Sequence, residues 1–282
     1  MTLLEVRDLH VDFHTRDGVI KAVNGVNYSV DAGETLAVLG ESGSGKSVTA
    51  QAIMGILDMP PGRIPKGEIL FHGKDMLAMG KEERRKIPIS SVRCSGCTRG
   101  LPARRRRPRP SSMRQRIMIA MALALEPDLI IADEPTTALD VTVQAQVMEL
   151  LADLQREYNM GLILITHDLG VVADVADKIA VMYAGRIVET APVKQLYAAP
   201  AHPYTRGLLD SIPRLDRKGQ ELYAIKGLPP NMAQVPQGCA FHPRCPMAQD
   251  VCRTELPPLA EVGAGRGSAC HFWKETLDEH AA

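Results

Sequence analysis

The eight residues GESGSGKS (40–47) stand between an apolar run, ETLAVL, and a stretch with helical spacing. A glycine-rich turn in that position offers backbone N–H groups and the positive end of a helix to an anion. Gly40, Glu41, Ser42, Gly43, Ser44 and Gly45 can wrap a phosphate chain closely, and Lys46 can reach the β- and γ-phosphates. Ser47 can ligate Mg2+, and Val48 continues the helix behind it. Farther along, LIIADEP (129–135) reads as a buried strand that carries Asp133 to its end, where a carboxylate can hold Mg2+ through water. Glu134 comes next and can orient or deprotonate an attacking water. LITHD (164–168) sets His167 just past another apolar strand, within reach of a γ-phosphate and of Glu134. Taken singly, each has a plainer reading: a Gly/Ser turn, an acidic turn, a solvated histidine. In this order on one chain they point to binding and hydrolysis of a nucleoside triphosphate. TTALD (136–140) follows closely, and its Asp140 is a candidate for communication between two subunits. Phe13 is the best candidate to stack on adenine, although a lone aromatic equally serves a core.

The elements that must position these groups can be read around them. MTLLEVRDLHVDF alternates apolar and charged residues and predicts a strand. Residues 34–40 predict a buried strand, 45–57 a helix with Val48, Ile53, Ile56 and Leu57 apolar, and 67–73 a short strand between glycines. From Met113 a helix is expected, with Ile117, Ala120, Met121 and Ala124 on one stripe, ending at Pro127 and Asp128. Strand 129–133, helix 141–157, strand 162–166 and a short helix near 169–176 follow, then a hairpin over 178–190 turning at Ala184-Gly185. Strands alternating with helices imply an α/β fold whose sheet is mostly parallel and covered by helices.

A chain of 282 residues fits one large domain, or one domain plus an extension. Apolar residues make up 45% but aromatics only 4%, so the core must be aliphatic. The net charge of zero gives no global pull toward nucleic acid. That neutrality hides an imbalance: residues 88–112 hold seven arginines and no acid, leaving the rest of the chain at −7. No apolar run approaches the ~18 residues of a membrane helix. The longest, IMIAMALAL (117–125), stops at Glu126. The N-terminus does not read as a signal peptide, so a cytosolic placement is expected, with membrane contact only through a partner. Disulfides are not expected of the six cysteines in that compartment.

Residues 88–112, PISSVRCSGCTRGLPARRRRPRPSS, lack aromatics, acids and apolar periodicity. Seven arginines, five serines and four prolines cannot offset ordering entropy by burial, and the segment is expected to be disordered. A basic arm for nucleic acid or anionic lipid is one reading, but it lacks aromatics and a scaffold. Cys94-x-x-Cys97 as a metal or redox pair is another, but no second pair stands near it. After residue 199 prolines become frequent and four cysteines fall between 239 and 270, which marks 200–282 as an extension of the domain at 1–199.

The ordered set GESGSGKS, LIIADEP, TALD and ITHD resembles the ATP-binding subunit of an ABC transporter, over residues 1–87 and 113–199. PAHPYTRGLLDSIPRL (200–215) and GCAFHPRCPMAQDVC (238–252) resemble the C-terminal region of the oligopeptide/dipeptide importer subfamily. The resemblance implies a P-loop NTPase of ABC type, with an N-terminal antiparallel β part beside the mostly parallel sheet. It implies ATP and Mg2+ as cofactors and hydrolysis that energises peptide uptake. The partners implied are a second ATP-binding subunit, two membrane permease subunits and a solute-binding protein, with no nucleic acid. The place implied is the cytoplasmic face of the cell membrane.

The sequence departs from that family between the P-loop and LIIADEP. Only Met113-Arg114-Gln115-Arg116 remains of the signature LSGGMRQR, with Pro110, Ser111 and Ser112 where Ser-Gly-Gly is expected. No glutamine stands between Ile87 and Gln115, and Lys46 and Asp133 are only 87 residues apart, too short for a full helical subdomain. An out-of-frame stretch in a GC-rich gene, entered after about Ile87 and left at about Met113, would give such text. Impaired activity is therefore expected, and a remnant that at most binds nucleotide is the alternative. A non-transport ABC-type ATPase is a further alternative, although such proteins usually carry two nucleotide domains or a coiled-coil insertion. Cys239, Cys245, Cys252 and Cys270 are spaced too loosely for a zinc ribbon. Four thiolates can hold a 4Fe–4S cluster, which the resemblance supports; zinc or four reduced thiols stay open.

Overall fold

The computed structural model describes residues 1–16, 18–93, 111–136, 140–212 and 224–281. The chain begins with β1 (Thr2–Thr15) and β2 (Gly18–Asp31), followed by β3 (Thr35–Leu39) and α1 (Lys46–Met54). Then come β4 (Gly62–Phe71), β5 (Lys74–Asp75), α2 (Lys81–Arg84), β6 (Ile89–Arg93) and α3 (Ser111–Leu123). The central run is β7 (Leu129–Asp133), α4 (Val141–Tyr158), β8 (Gly161–Thr166), α5 (Leu169–Val175), β9 (Lys178–Tyr183) and β10 (Arg186–Pro192). The chain closes with α6 (Val193–Ala198), α7 (Pro203–Asp210), α8 (Asp250–Thr254), β11 (Ala260–Gly263), β12 (Arg266–Ser268) and α9 (Trp273–Ala281).

Eight strands form one sheet in the order β11-β12-β10-β9-β3-β8-β7-β6, and the five from β9 to β6 run parallel. Its central strands β3, β7 and β8 are buried at every position and largely apolar, because both faces are covered. Along β3, Ala37 and Leu39 face one core while Leu36 and Val38 face the other, and β7 and β8 alternate in the same way. The first core is closed by α3, α4, α5, α6 and α7, the second by α1 and the antiparallel sheet β2-β1-β4-β5. In β1 the second core takes Leu4 and Val6, then Leu9 and Val11, with Leu3 buried beside them at the start of the strand. That change of phase requires an extra residue, and the register shifts between Val6 and Leu9, where Asp8 has φ 43°.

Three expectations are corrected. Residues 88–112 were expected to be disordered throughout, yet Ile89–Arg93 is strand β6, parallel to β7, with Val92 in the first core. An apolar residue on each side of two serines suffices once β7 supplies the ladder, and α3 then begins at Ser111. The rest of that expectation, like Cys94 and Cys97, lies outside the described residues. On α3 the packed residues are Met118, Ile119, Ala122 and Leu123, while Ile117, Ala120, Met121 and Ala124 face outward. From Ile117 onward the helix is apolar all round, and such a run gives no periodic cue to its buried face. Helix α1 stops at Met54 rather than at residue 57, because Gly55 at φ 67° turns the chain in the left-handed cap.

Candidate phosphate-binding site

Parallel pairing aligns the ends of β3, β8 and β7. Leu39 lies opposite Thr166, and Ile165 opposite Asp133. The loop after β3, the acidic pair at the end of β7 and the histidine after β8 thus meet at one edge, where parallel α/β sheets place their ligands. The 40–45 loop runs directly into α1, whose N-cap is Gly45 at φ 102°. A Cβ on Gly45 would lie 2.5 Å from the Ala22 carbonyl oxygen, and one on Gly40 2.2 Å from that of Met182. Only glycine permits this close backbone approach.

Lys46 is buried, and its ammonium donates to the carbonyls of Gly40 at 2.7 Å and Glu41 at 2.8 Å. Burial pushes its pKa down, opposed by the charges of Glu134, Asp133 and Glu41. Ser47 Oγ donates to Asp133 Oδ1 at 3.0 Å, although 86 residues separate the two. One hydroxyl and one carboxylate at that separation form the oxygen pair a Mg2+ ion takes beside phosphates. Glu134, at φ 50°, donates its N–H to Ile165 O at 2.8 Å, which ties the end of β7 to β8. His167 Nδ1 lies 3.7 Å from Glu134 Oε1. A carboxylate and an imidazole so placed can accept and orient the protons of a water.

The remaining candidates are placed around this edge. Ser42 and Gly43 are exposed at the loop tip, Ser44 is buried, and Val48 is packed on the second core. Phe13 is part-buried in β1, paired with Ile20 and Gly62, and also borders the second core. Asp140 caps α4 by accepting from the Val143 N–H at 2.9 Å.

The sequence reading missed four supporting side chains. Asp168 accepts from Gly170 N–H and from Gln144 Nε2 at 2.7 Å, which fixes the loop carrying His167 to α4. Tyr204 Oη accepts from the Glu41 N–H at 2.9 Å, and Arg244 grips the Glu41 carboxylate. A helical-spacing reading of α4 and the cap at Asp168 could have found the first pair; nothing local marks Tyr204 or Arg244.

Cys239, Cys245, Cys252 and Cys270 line one pocket together with Phe241 and Phe272. Burial raises the Cys239 thiol, pushes Cys245 to about 11 and takes Cys270 to about 12, so those three are held protonated. Among the described residues, no group of three or more His, Cys, Asp or Glu side chains stands at metal-holding separations. The four thiols converge without forming a closed ligand set.

The family described as ABC transporter matches residues 23–95. The family described as oligopeptide/dipeptide transporter, C-terminal region, matches residues 188–252. The oligopeptide transport ATP-binding protein OppD of Bacillus subtilis (strain 168) is 45% identical over 98% of this chain and 88% of its own length. Its counterpart OppD from Escherichia coli (strain K12) is 45% identical over 95% of this chain and 92% of its own. The alignment with the B. subtilis protein spans 322 positions, more than the 282 residues here, so that relative holds residues without a counterpart in this chain. Among solved structures, cbiO1 of Clostridium perfringens, part of the ABC transporter complex cbiONQ, superposes with a TM-score of 0.59. It is 26% identical over 70% of this chain and 91% of its own. A dimeric ATP-binding cassette in a post-hydrolysis state with ADP and Pi gives a TM-score of 0.57 at 22% identity, over 68% of this chain and 99% of its own, a likeness of fold.

Proposed function

This chain belongs to the family of oligopeptide-transport ATP-binding proteins, ABC-type ATPases of the P-loop fold, and from that premise we propose that it binds MgATP to energise uptake of di- and oligopeptides. The observation that carries the reading is the Ser47–Asp133 contact at 3.0 Å, which brings two distant motifs to one edge beside Lys46. In the proposed site the loop from Gly40 to Val48 holds the phosphates, and Lys46 turns to the β- and γ-phosphates. Ser47 and Asp133 would hold Mg2+, which neutralises phosphate charge when bound. Glu134 takes a proton from water as its oxygen bonds to the γ-phosphorus, and the bond to the β–γ bridging oxygen breaks. His167 orients that water and Glu134, Phe13 stacks on adenine, and Asp140 sits where it can report to a second subunit.

The partners proposed are a second ATP-binding subunit, two permease subunits and a solute-binding protein, with the chain on the cytoplasmic face of the membrane. Among the described residues no helix is long and apolar enough to cross a membrane, which fits contact through permeases. Residues 1–199 form the proposed nucleotide-binding domain and 200–282 the transporter-type extension. For the four tail thiols we propose a 4Fe–4S cluster, supported by their shared pocket.

We also propose that this chain is impaired. In this family each nucleotide is sandwiched between the P-loop of one subunit and the signature of the other. Pro110, Ser111 and Ser112 stand where that signature has Ser-Gly-Gly, whose glycines allow close backbone approach. The relatives' extra residues and the end of the ABC match at residue 95 support the reading. A stabiliser supplied in trans is worth ~10³–10⁵ in rate in comparable phosphoryl transfers. ATP hydrolysis and peptide uptake are to be measured with the cognate partners, beside a version whose 88–112 region is restored to the family pattern. Uptake within about tenfold of the restored protein, about 1.4 kcal/mol of barrier, refutes the impairment. A restored protein that hydrolyses ATP but moves no peptide refutes the substrate class.

A further inference from the structure

The P-loop is gripped from the far end of the chain. Arg244 lies in the short turn His242–Arg244, directly before Cys245. Its guanidinium meets Glu41 as a fork: Nη1 donates to Oε2 at 2.6 Å and Nη2 to Oε1 at 2.9 Å. Nε donates to Lys226 O at 3.2 Å, and Nη1 also to Tyr183 Oη at 3.3 Å. The guanidinium carbon stands 5.9 Å from the Tyr183 ring centroid and 6.0 Å from that of Phe241. The arginine side chain is only 6% exposed. The backbone of Glu41 is held as well, its N–H by Tyr204 Oη and its carbonyl by Lys46 Nζ.

An exposed ion pair would explain nothing, since such pairs contribute little. This one is bidentate, its arginine is desolvated, and its place is unusual. Glu41 occupies a free position of GxxxxGKS, and its carboxylate is in a loop whose amides must receive a polyphosphate. Its charge is felt at Lys46. Left unpaired, it would repel the anion that the loop attracts.

We propose that Arg244 is part of the nucleotide site: contributed by the C-terminal extension, it neutralises Glu41 and fixes it so that the loop can accept the triphosphate of MgATP. Arg244 is a positioning residue, acting on the phosphates through Glu41. The inference rests on the P-loop reading above and adds to it a residue outside every nucleotide motif.

The test is MgATP affinity by calorimetry for wild type, Lys46→Ala, Arg244→Ala, Arg244→Lys and the double variant Glu41→Gln/Arg244→Ala. Arg244→Ala is expected to weaken binding about tenfold, and the defect shrinks at high salt because the exposed repulsion is screened. Arg244→Lys, which keeps the charge and loses the fork, falls between it and wild type. The double variant recovers to within about threefold of wild type, because the carboxylate that needed neutralising is gone. A purely structural role predicts the opposite, a double variant as weak as Arg244→Ala, and that result overturns the proposal. So does an Arg244→Ala protein that binds like wild type. If Arg244→Ala does not fold, the double variant decides, and a loss beyond tenfold there counts against the inference. Lys46→Ala separates the two levels. If it binds MgATP like wild type, the P-loop reading itself fails; if it binds weakly while Arg244→Ala is unaffected, only the role of Arg244 fails.

Discussion

Glu189 is the residue whose charge the fold most clearly controls. It is wholly buried in β10, its Oε1 accepts from the Ala201 N–H at 2.7 Å, and Arg266 Nη2 stands 3.9 Å away. Burial outweighs the Thr205 hydroxyl, the Ala201 N–H and the Arg266 charge, raising its pKa from 4.5 to about 7. The native state therefore holds a proton that the unfolded chain releases between those values. The stability from this group is full below 4.5, falls as pH rises to about 7, and is level above. The change is on the order of 3 kcal/mol. Glu189→Gln keeps the shape and removes the titration. Urea unfolding of both proteins from pH 4 to 8 is expected to show the variant gaining on wild type across that window, and a constant difference would reject the assignment.

At the scale of elements, the site depends on helix ends as much as on strand ends. Asp140 accepts from Val143 N–H at the start of α4, and α4 in turn supplies Gln144 to the Asp168 carboxylate beside His167. Asp140→Ala is expected to cost about 1 kcal/mol of stability, and Asp140→Asn only a few tenths, because Asn caps nearly as well. Denaturant midpoints at constant slope give both numbers. If Asn loses as much as Ala, the charge of Asp140 matters beyond the cap. Strand β6 makes a second point. Its five residues hold only two apolar side chains inside a strongly basic segment, and β7 decides their conformation.

For the whole molecule, the C-terminal extension is knitted into the sheet. β12 pairs with β10 through Ser268 and Gly267, and Ser268 Oγ donates to Ala201 O at 2.7 Å. His202 is fully buried and caps α7 by accepting from the Tyr204 N–H, and burial drives its pKa down to about 3, so it stays neutral. The same short turn carries Arg244 to the P-loop and Cys245 to the thiol pocket. If the four thiols hold a 4Fe–4S cluster, anaerobically purified protein is expected to be brown, with visible absorption and bound iron and sulfide. Iron and sulfide near zero in folded protein would reject the cluster.

The sequence alone determined the elements with strong local signals. Residues 40–47 announce a tight glycine-rich loop, the proposed phosphate cradle, because the required backbone shape leaves glycine almost no substitute, and β7 and β8 announce themselves as short, largely apolar runs. Lys46, Ser47, Asp133 and His167 stand out as candidates for the same reason, each sitting beside such a run. What no local pattern holds is pairing. That Ser47 meets Asp133, that β6 joins β7, and which face of α3 is buried were decided only when the sheet assembled, since each depends on a partner distant in the chain. The same holds most strongly for Arg244. Its partner Glu41 is 203 residues away, and a two-bonded fork between charges so distant in the chain exists only once the tertiary fold has brought the turn at His242–Arg244 onto the loop after β3.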